Sequence, residues 1–467
     1  MCTSIAVGKK ATCDNVILIS RNEDCLRANW NKYLVYRDAP EYIQYPNTVQ
    51  DGQWILGNGL TVPVPQNGYC YSGMPDAGSY AEASNAIGDR FFFEERGINE
   101  QNFAISATNS LEINKKANAA DPLLAKGGIA ESVIPTLILP QAKSAQHAIE
   151  LLGGYVETAG ASEANGILLA DPDESWYFEI GSGHHWIAVK IPKDSYIAVA
   201  NGMRVHAVDI TDMENVRCSP NLVEFVADHR LLDDFDPQNF NFAKAFGVLG
   251  DPKNVDRIWL AQSILTPSLH QEVRQIQYPL FLKPDALVGV QDVMKVLTAT
   301  YKGTVLEGKA ERSIGWDKTA ESHIITLNSG LPDMLCGMIW QAVSTPLCAP
   351  YMPLYRAMNT IPPGFSKGGN EYSSTSAYWA FRGLYFLAKD QDEETLDGVR
   401  KMWRDDVAQF VEEHPFIEKM VMEMNEQSPA SAADFLSRYS TGIAYEAVAK
   451  ANDERNKLMT KVAQKSD

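Results

Sequence analysis

No apolar run in this 467-residue chain approaches the roughly 20 residues needed to span a bilayer. That argues against a membrane-spanning helix, and no membrane partner is expected. The opening residues, MCTSIAVGKKATCDN, lack a basic segment followed by an apolar one, so they do not read as a secretory leader and a cytoplasmic location is expected. Positive charge is scarce: 41 Lys and Arg stand against 59 Asp and Glu, a net −18. Such a surface repels phosphate backbones, so nucleic acid is not an expected partner. There is no HExxH, no Walker A loop and no GxSxG, which removes support from zinc-peptidase, nucleotide-binding and serine-hydrolase readings. The stretch GKAERSIGWD (308–317) holds glycine and charge without phosphate-loop spacing. Cysteine is sparse and scattered: Cys2, Cys13, Cys25, Cys70, Cys218, Cys336 and Cys348. An odd set without a CxxC pair argues against a disulfide framework or a zinc site. No metal or cofactor is expected, and most of these thiols read as small buried hydrophobes.

The chain that remains is an ordinary globular sequence, 45% hydrophobic and 21% charged, long enough for one large core or two to three domains. Cys2 to Gly8 and Val16 to Arg21 are both strand-like, with turn residues between them, and predict a β-hairpin at the start of the chain. Its second strand ends in four polar residues, Arg21-Asn22-Glu23-Asp24. A loop-rich stretch follows to about residue 80. Phe103 to Thr108 then reads as a strand leading into Asn109, and a helix opened by Ser144 is expected over 143–158. Strands are expected at Ala164–Ala170, Ser175–Ile180, His185–Lys190, Ser195–Val199, Ser322–Leu327 and Met338–Val343. Helices are expected near 219–230, 257–266 and 290–300. These segregated elements predict an α+β layered architecture. From about residue 370 the periodicity is helical with charged faces. The expected division is a catalytic domain over 1–365 and a helical section over 366–467. The helical section would pack on that domain or on a neighbouring subunit.

Cys2 carries the most pointed chemistry. Methionine excision favours a small second residue, and loss of Met1 would put a thiol and a free α-amine on one residue. An α-amine titrates at about 7.7–8.0, so it serves as a general base near neutral pH. A nucleophile built this way needs no separate histidine. Position alone favours an unremarkable residue of a buried strand. The hairpin adds a reason: it brings Arg21 and Asp24 near the thiol. A cation there favours the thiolate, and a carboxylate can hold the α-amine. A surface salt bridge, worth little, is the plain alternative.

At this point the sequence resembles a known family. MCTSIAVGKKAT followed by RNED, GINEQNFAISATNS (97–110), DPDESWYFEIGSGHHWIAVKIP (171–192), YIAVANGMRV (196–205), NVDRIWLAQ (254–262) and ESHIITL (321–327) resemble peptidase family C69. These are cysteine dipeptidases of the N-terminal-nucleophile (Ntn) hydrolases, and the sequence is similar to the dipeptidase A type of lactic acid bacteria. The blocks spread from residue 2 to about 355. The resemblance implies a four-layer αββα sandwich, with the helical C-terminal section added to it. It implies Cys2 as nucleophile, Arg21 as stabiliser of the thiolate and Asp24 as the α-amine's partner. It implies Asn109 in the oxyanion hole, Asn201 orienting the amine or substrate, and Arg257 as a second active-site arginine. Arg257 would also suit capture of a substrate carboxylate. Dipeptides are the implied substrates, of broad side-chain range, through a thioester acyl-enzyme. A homo-oligomer is expected, because family members often associate.

Two other readings stay open on the same scaffold: an amidase of the choloylglycine hydrolase or penicillin V acylase type, and a non-catalytic protein resembling the secernins. Other polar residues have plain explanations. His184 and His185 are adjacent on a strand-like run, point to opposite faces and cannot chelate one metal together. Glu174 and Glu179 read as solvated or capping residues. His323, two residues after Glu321, reads as packing within a strand.

Overall fold

Thr3–Val7 and Ile17–Asp24 form the expected hairpin, but its second strand is longer than the alternation predicts. In the computed structural model, which describes residues 2–24, 32–38, 49–65, 68–75, 94–367 and 371–464, that strand runs through Arg21-Asn22-Glu23-Asp24. All eight of its residues are buried. Met1, Cys25 and part of the loop-rich stretch expected before residue 80 lie outside the described residues. A polar run ends a strand only where the strand meets water. Here other elements cover it and supply partners, so the pairing continues.

In chain order the strands are β1 (Thr3–Val7), β2 (Ile17–Asp24), β3 (Val35–Arg37), β4 (Val49–Gln50), β5 (Gln53–Ile55), β6 (Thr61–Pro63), β7 (Tyr71–Pro75), β8 (Glu94–Asn99), β9 (Ala104–Ser110), β10 (Asn165–Ala170), β11 (Ser175–Ile180), β12 (Trp186–Lys190), β13 (Tyr196–Val199), β14 (Val216–Cys218), β15 (Thr319–Leu327), β16 (Gly337–Val343) and β17 (Met352–Tyr355). One sheet has the order β13-β1-β2-β15-β16-β17 and a second the order β14-β12-β11-β10-β9-β8-β7-β3. The strand pairs within both are antiparallel. A small sheet, β4-β5-β6, occupies part of the stretch read as loop.

The two large sheets face each other. Ser4 on β1 donates to Asn109 on β9 at 2.8 Å, and Arg96 on β8 donates to Gln341 on β16 at 3.0 Å. Helices cover the outer faces. The helices α1 (Ile134–Ile138) and α2 (Ala145–Ala159) pack on the eight-stranded sheet. A short α3 (Leu222–Asp228) follows, then α4 (Pro252–Leu265) and α5 (Val290–Leu297), which pack on the six-stranded sheet. The result is the expected αββα sandwich.

Alternation builds the layers. Ile105, Ile167, Leu169, Trp176, Phe178 and Ala188 face α1 and α2, while Ala104, Leu168, Ala170, Tyr177 and Ile187 face the other sheet. Ala145, Ala148, Ile149, Leu152 and Val156 recur at helical spacing on the buried side of α2. Burying one such Leu or Ile stabilises the fold by about 1.5–3 kcal/mol. Ser144 caps α2 as expected, accepting from the His147 N–H at 3.2 Å. Gly153 sits mid-helix because the Trp186 ring lies against it; a Cβ there would be 2.4 Å from the ring. The helix α4 starts five residues before the expected position. Asp251 caps it, accepting from Lys253 N–H, and Pro252 supplies the preset first turn.

The C-terminal helices are α6 (Ala377–Lys389), α7 (Glu393–Gln427) and α8 (Pro429–Gln464). They cover β17, the edge strand that would otherwise expose unpaired backbone. Ser440 on α8 donates to the Pro353 carbonyl at 2.7 Å, and His414 on α7 bonds the Tyr355 hydroxyl at 2.9 Å. No helix of the described residues is long and apolar enough to cross a membrane.

Candidate active site

Cys2 lies at the head of β1, an interior strand of the six-stranded sheet, and is buried. Arg21 stands opposite Ser4 in the β1–β2 register, and its side chain reaches back to the thiol. Its Nη2 is 3.1 Å from Cys2 Sγ. Its Nη1 donates to Glu95 Oε2 at 2.9 Å and to the Ala107 carbonyl at 2.5 Å. Burial works against the Arg21 charge, but the Cys2 sulfur, Glu95, Glu131 and Glu23 outweigh it and push the guanidinium well above its ordinary value. The cation facing the sulfur is therefore permanent. Glu95 is pushed up, by burial first and Glu23 second, with Lys32 and Arg21 pulling the other way. Glu23 pairs with Lys32 at 2.8 Å.

Arg257 meets Cys2 from α4. Its Nη1 donates to the Cys2 carbonyl at 2.6 Å and to Thr3 Oγ1 at 2.9 Å. Its Nη2 donates to Asn201 Oδ1 and Asn254 Oδ1, both at 2.9 Å, and its Nε to the Lys253 carbonyl at 2.7 Å. A guanidinium has five N–H donors, and all five are engaged. No donor is left for a substrate carboxylate, so that expected role does not fall to Arg257. Burial, then Arg312, lowers it to about 9, while Asp24, Tyr301 and Cys2 raise it. Its place is structural within the site: it fastens the Cys2 carbonyl to Asn201.

Asn201 follows β13. Its Oδ1 takes the Arg257 bond and its Nδ2 donates to the Ser110 carbonyl at 3.0 Å. Asn109 is held equally firmly. Its Oδ1 accepts from Ser4 and its Nδ2 donates to the Ala200 carbonyl at 3.0 Å. A β-bulge puts it there. Gly166 pairs with Asn109 and Ile167 with Ala107, so the ladder skips Thr108. Regular alternation would send Ser106 and Asn109, three apart, to opposite faces. The extra residue turns both toward the other sheet. Asp24 accepts from Thr319 Oγ1 and from Arg312 Nη2, each at 2.5 Å. The six expected residues thus gather around the head of β1. Cys2, Arg21, Arg257 and Asn201 share direct bonds, Asn109 reaches β1 through Ser4, and Asp24 lies within the electrostatic reach of Arg257.

Sequence reasoning missed Glu95, Glu131, Lys32, Asn254 and Arg312. One signal was available: Glu94-Glu95-Arg96 are three consecutive charges that β8 buries. The His184 and His185 rings part as expected, one to Asp121 and the other to Ser219. Both residues sit in the turn before β12 instead of on a strand. Glu174 pairs with Lys190. Glu179 is fully buried instead of solvated, raised to about 7 by burial, and accepts from the Arg204 and Val205 N–H groups. Among the described residues no cluster of three His, Cys, Asp or Glu could hold a metal ion.

Ser106, His323 and Glu321 form a chain of hydrogen bonds: Ser106 Oγ to His323 Nε2 at 2.8 Å and His323 Nδ1 to Glu321 Oε1 at 2.9 Å. The order is that of a hydrolase relay, yet all three are buried. Burial holds the imidazole below its ordinary value. The chain ties β9 to β15 beside the Ala107 carbonyl that Arg21 uses. His323→Leu is expected to cost about 1.5–3 kcal/mol by removing a hydrogen bond to the Glu321 carboxylate, which keeps its bond from Gln341, measured by urea unfolding. Alkylation of Cys2 should persist in the folded variant.

Two facing sheets sheathed by helices, with a buried cysteine heading an interior strand of one of them, define the class as an αββα sandwich. The chain matches peptidase family C69 over residues 1–405, and it belongs to that family of peptide-bond hydrolases. It is 33% identical over 400 residues to a probable dipeptidase of Latilactobacillus sakei, covering 83% of this chain and 81% of that one. It is 33% identical over 383 residues to a probable dipeptidase of Salmonella dublin, covering 79% and 83%. Among solved structures, a mutant conjugated bile acid hydrolase from Clostridium perfringens aligns at 13% identity and a TM-score of 0.33, over 73% of this chain and 89% of that chain.

Proposed function

We propose that this protein is a cysteine dipeptidase whose nucleophile is Cys2, exposed as the chain start by removal of Met1. The observation that carries the reading is the Arg21 guanidinium 3.1 Å from Cys2 Sγ at the buried head of β1. The relatives named as probable dipeptidases support the substrate class.

The α-amine takes the thiol proton. The thiolate attacks the peptide carbonyl and forms a tetrahedral oxyanion. Asn109 has a second amide proton beyond the one given to Ala200, and it serves the oxyanion together with backbone N–H groups. Such a donor contributes about 2.7–4 kcal/mol. Arg21 stabilises the thiolate, Asp24 holds the amine, and Arg257 and Asn201 fix the Cys2 backbone. The amine protonates the leaving group, and water then cleaves the thioester by the reverse proton path. Substrate tolerance is broad.

A panel of dipeptides assayed beside glycocholate and penicillin V tests the reading. Dipeptide turnover is expected; hydrolysis confined to the other two compounds would overturn it. N-terminal sequencing of active protein should begin at Cys2, and retention of Met1 would contradict the amine as base.

A further inference from the structure

Among the described residues, three carboxylates crowd two cations around Arg21. Glu95 faces Arg21 and Glu23 faces Lys32, both pairs within 2.9 Å. Glu131 is a third carboxylate. Its Oε1 lies 3.2 Å from Arg21 Nη2, and among the described residues it shares that one cation with Glu95. The side chain of Glu131 is 25% exposed, against 1% for Glu95 and 3% for Glu23. It is the carboxylate of the three that an incoming molecule can touch. Its Oε2 accepts from the exposed Ser110 hydroxyl at 3.3 Å, and its backbone N–H is pinned to Glu163 Oε2 at 2.9 Å. The Ser110 carbonyl in turn holds the half-exposed Asn201. Glu131, Ser110 and Asn201 are therefore linked, partly exposed groups beside a buried thiol.

We infer that Glu131 recognises the α-ammonium group of the substrate's N-terminal residue; the inference rests on Cys2 as the nucleophile of a dipeptidase. Reach limits which carboxylate can meet that group. In a dipeptide the ammonium nitrogen is two bonds, about 2.5 Å, from the carbonyl carbon under attack. The sulfur must come within roughly 3–3.5 Å of that carbon. A carboxylate that binds the ammonium at about 2.8 Å must then stand close to the sulfur. Glu131 stands one guanidinium nitrogen away from it: Sγ to Nη2 is 3.1 Å and Nη2 to Oε1 is 3.2 Å. An acylated or longer substrate, cut further from its N-terminus, puts a neutral amide at that place. Glu131 would then keep its charge with no ammonium to meet it, and such a substrate is disfavoured.

The test compares alanylalanine with propionylalanine, which has the same scissile bond and no amine. The native enzyme is expected to prefer alanylalanine in kcat/KM. Glu131→Gln should reduce that preference roughly 10–100-fold, the scale of one charge-assisted hydrogen bond, mainly through a higher KM for alanylalanine. Propionylalanine turnover should change far less than alanylalanine turnover, and the inflection of Cys2 alkylation by iodoacetamide should not move to higher pH, because Glu95 and Ala107 still fix Arg21 and one carboxylate near the sulfur is gone. Glu131→Asp keeps the charge and should retain part of the preference. An unchanged preference in Glu131→Gln, or an equal fall for both substrates with slower alkylation, overturns the assignment of Glu131. A native enzyme that hydrolyses neither compound overturns the dipeptidase reading itself, and this inference with it.

Discussion

Cys2→Ala is expected to lower kcat on dipeptides by about 10⁴-fold or more, the scale of losing a covalent nucleophile. Cys2→Ser should lose most turnover too, because a hydroxyl is a far weaker nucleophile toward an amine base of that strength. Both residues are small, so Met1 removal should be preserved and intact mass can verify it. Neither change should unfold the protein. Arg21 keeps Glu95 and the Ala107 carbonyl as anchors, and Arg257 bonds the Cys2 carbonyl, which both variants retain. Urea midpoints near that of the native protein would confirm an intact fold. Full activity in Cys2→Ala would remove the nucleophile from the mechanism.

The same thiol should react with iodoacetamide at neutral pH ahead of Cys13, Cys218, Cys336 and Cys348. These four are handicapped. Burial and the adjacent Asp14 raise Cys13 to about 11; burial raises Cys336 to about 11 and Cys348 to about 12, and it raises Cys218 as well. A thiol that titrates far above neutral pH holds little thiolate to react. Cys2 has Arg21 beside its sulfur.

Local periodicity made the hairpin, the strands of the central layers and the α2 cap legible, since each is encoded within a few residues. The failures have physical causes. The strand β2 outran its apolar half because its polar half finds partners from distant segments: Asn22 donates to the Leu297 and Ile314 carbonyls. Asn109 was found by resemblance, but the bulge that aims it is a property of the β9–β10 pairing. Arg257 was found the same way, and only its five bonds show that it positions Cys2 and has nothing left for substrate. Glu95 and Glu131 lie 74 and 110 residues from Arg21. No local period encodes a pairing over such a span.

Arg21→Ala is expected to damage both chemistry and stability, and the two losses can be separated. The chemical loss is the cation beside Sγ. The inflection of iodoacetamide inactivation should move to higher pH; an unchanged profile would deny Arg21 its role. The stability loss comes from Glu95, which keeps its burial and its neighbour Glu23 but loses a cation at 2.9 Å. Breaking a buried ion pair on one side costs about 3–5 kcal/mol. The pH dependence has a definite sign. Glu95 is already raised in the folded protein, and Arg21 is one of the groups holding it down. Without Arg21 the folded state binds a proton that the unfolded chain releases above its ordinary value of about 4.3. Stability then falls as pH rises above that value. The gap between native and variant in urea unfolding should be wider at pH 8 than at pH 5, and an equal gap would count against Glu95 as its source. Arg21→Lys sharpens the point. It keeps a charge and so most of the stability, but a single ammonium cannot bond Glu95, the Ala107 carbonyl and the sulfur in the fixed fork that Arg21 provides. Its activity should fall while its pH-dependent stability stays close to native, because the sulfur needs the guanidinium's geometry and Glu95 needs only its charge.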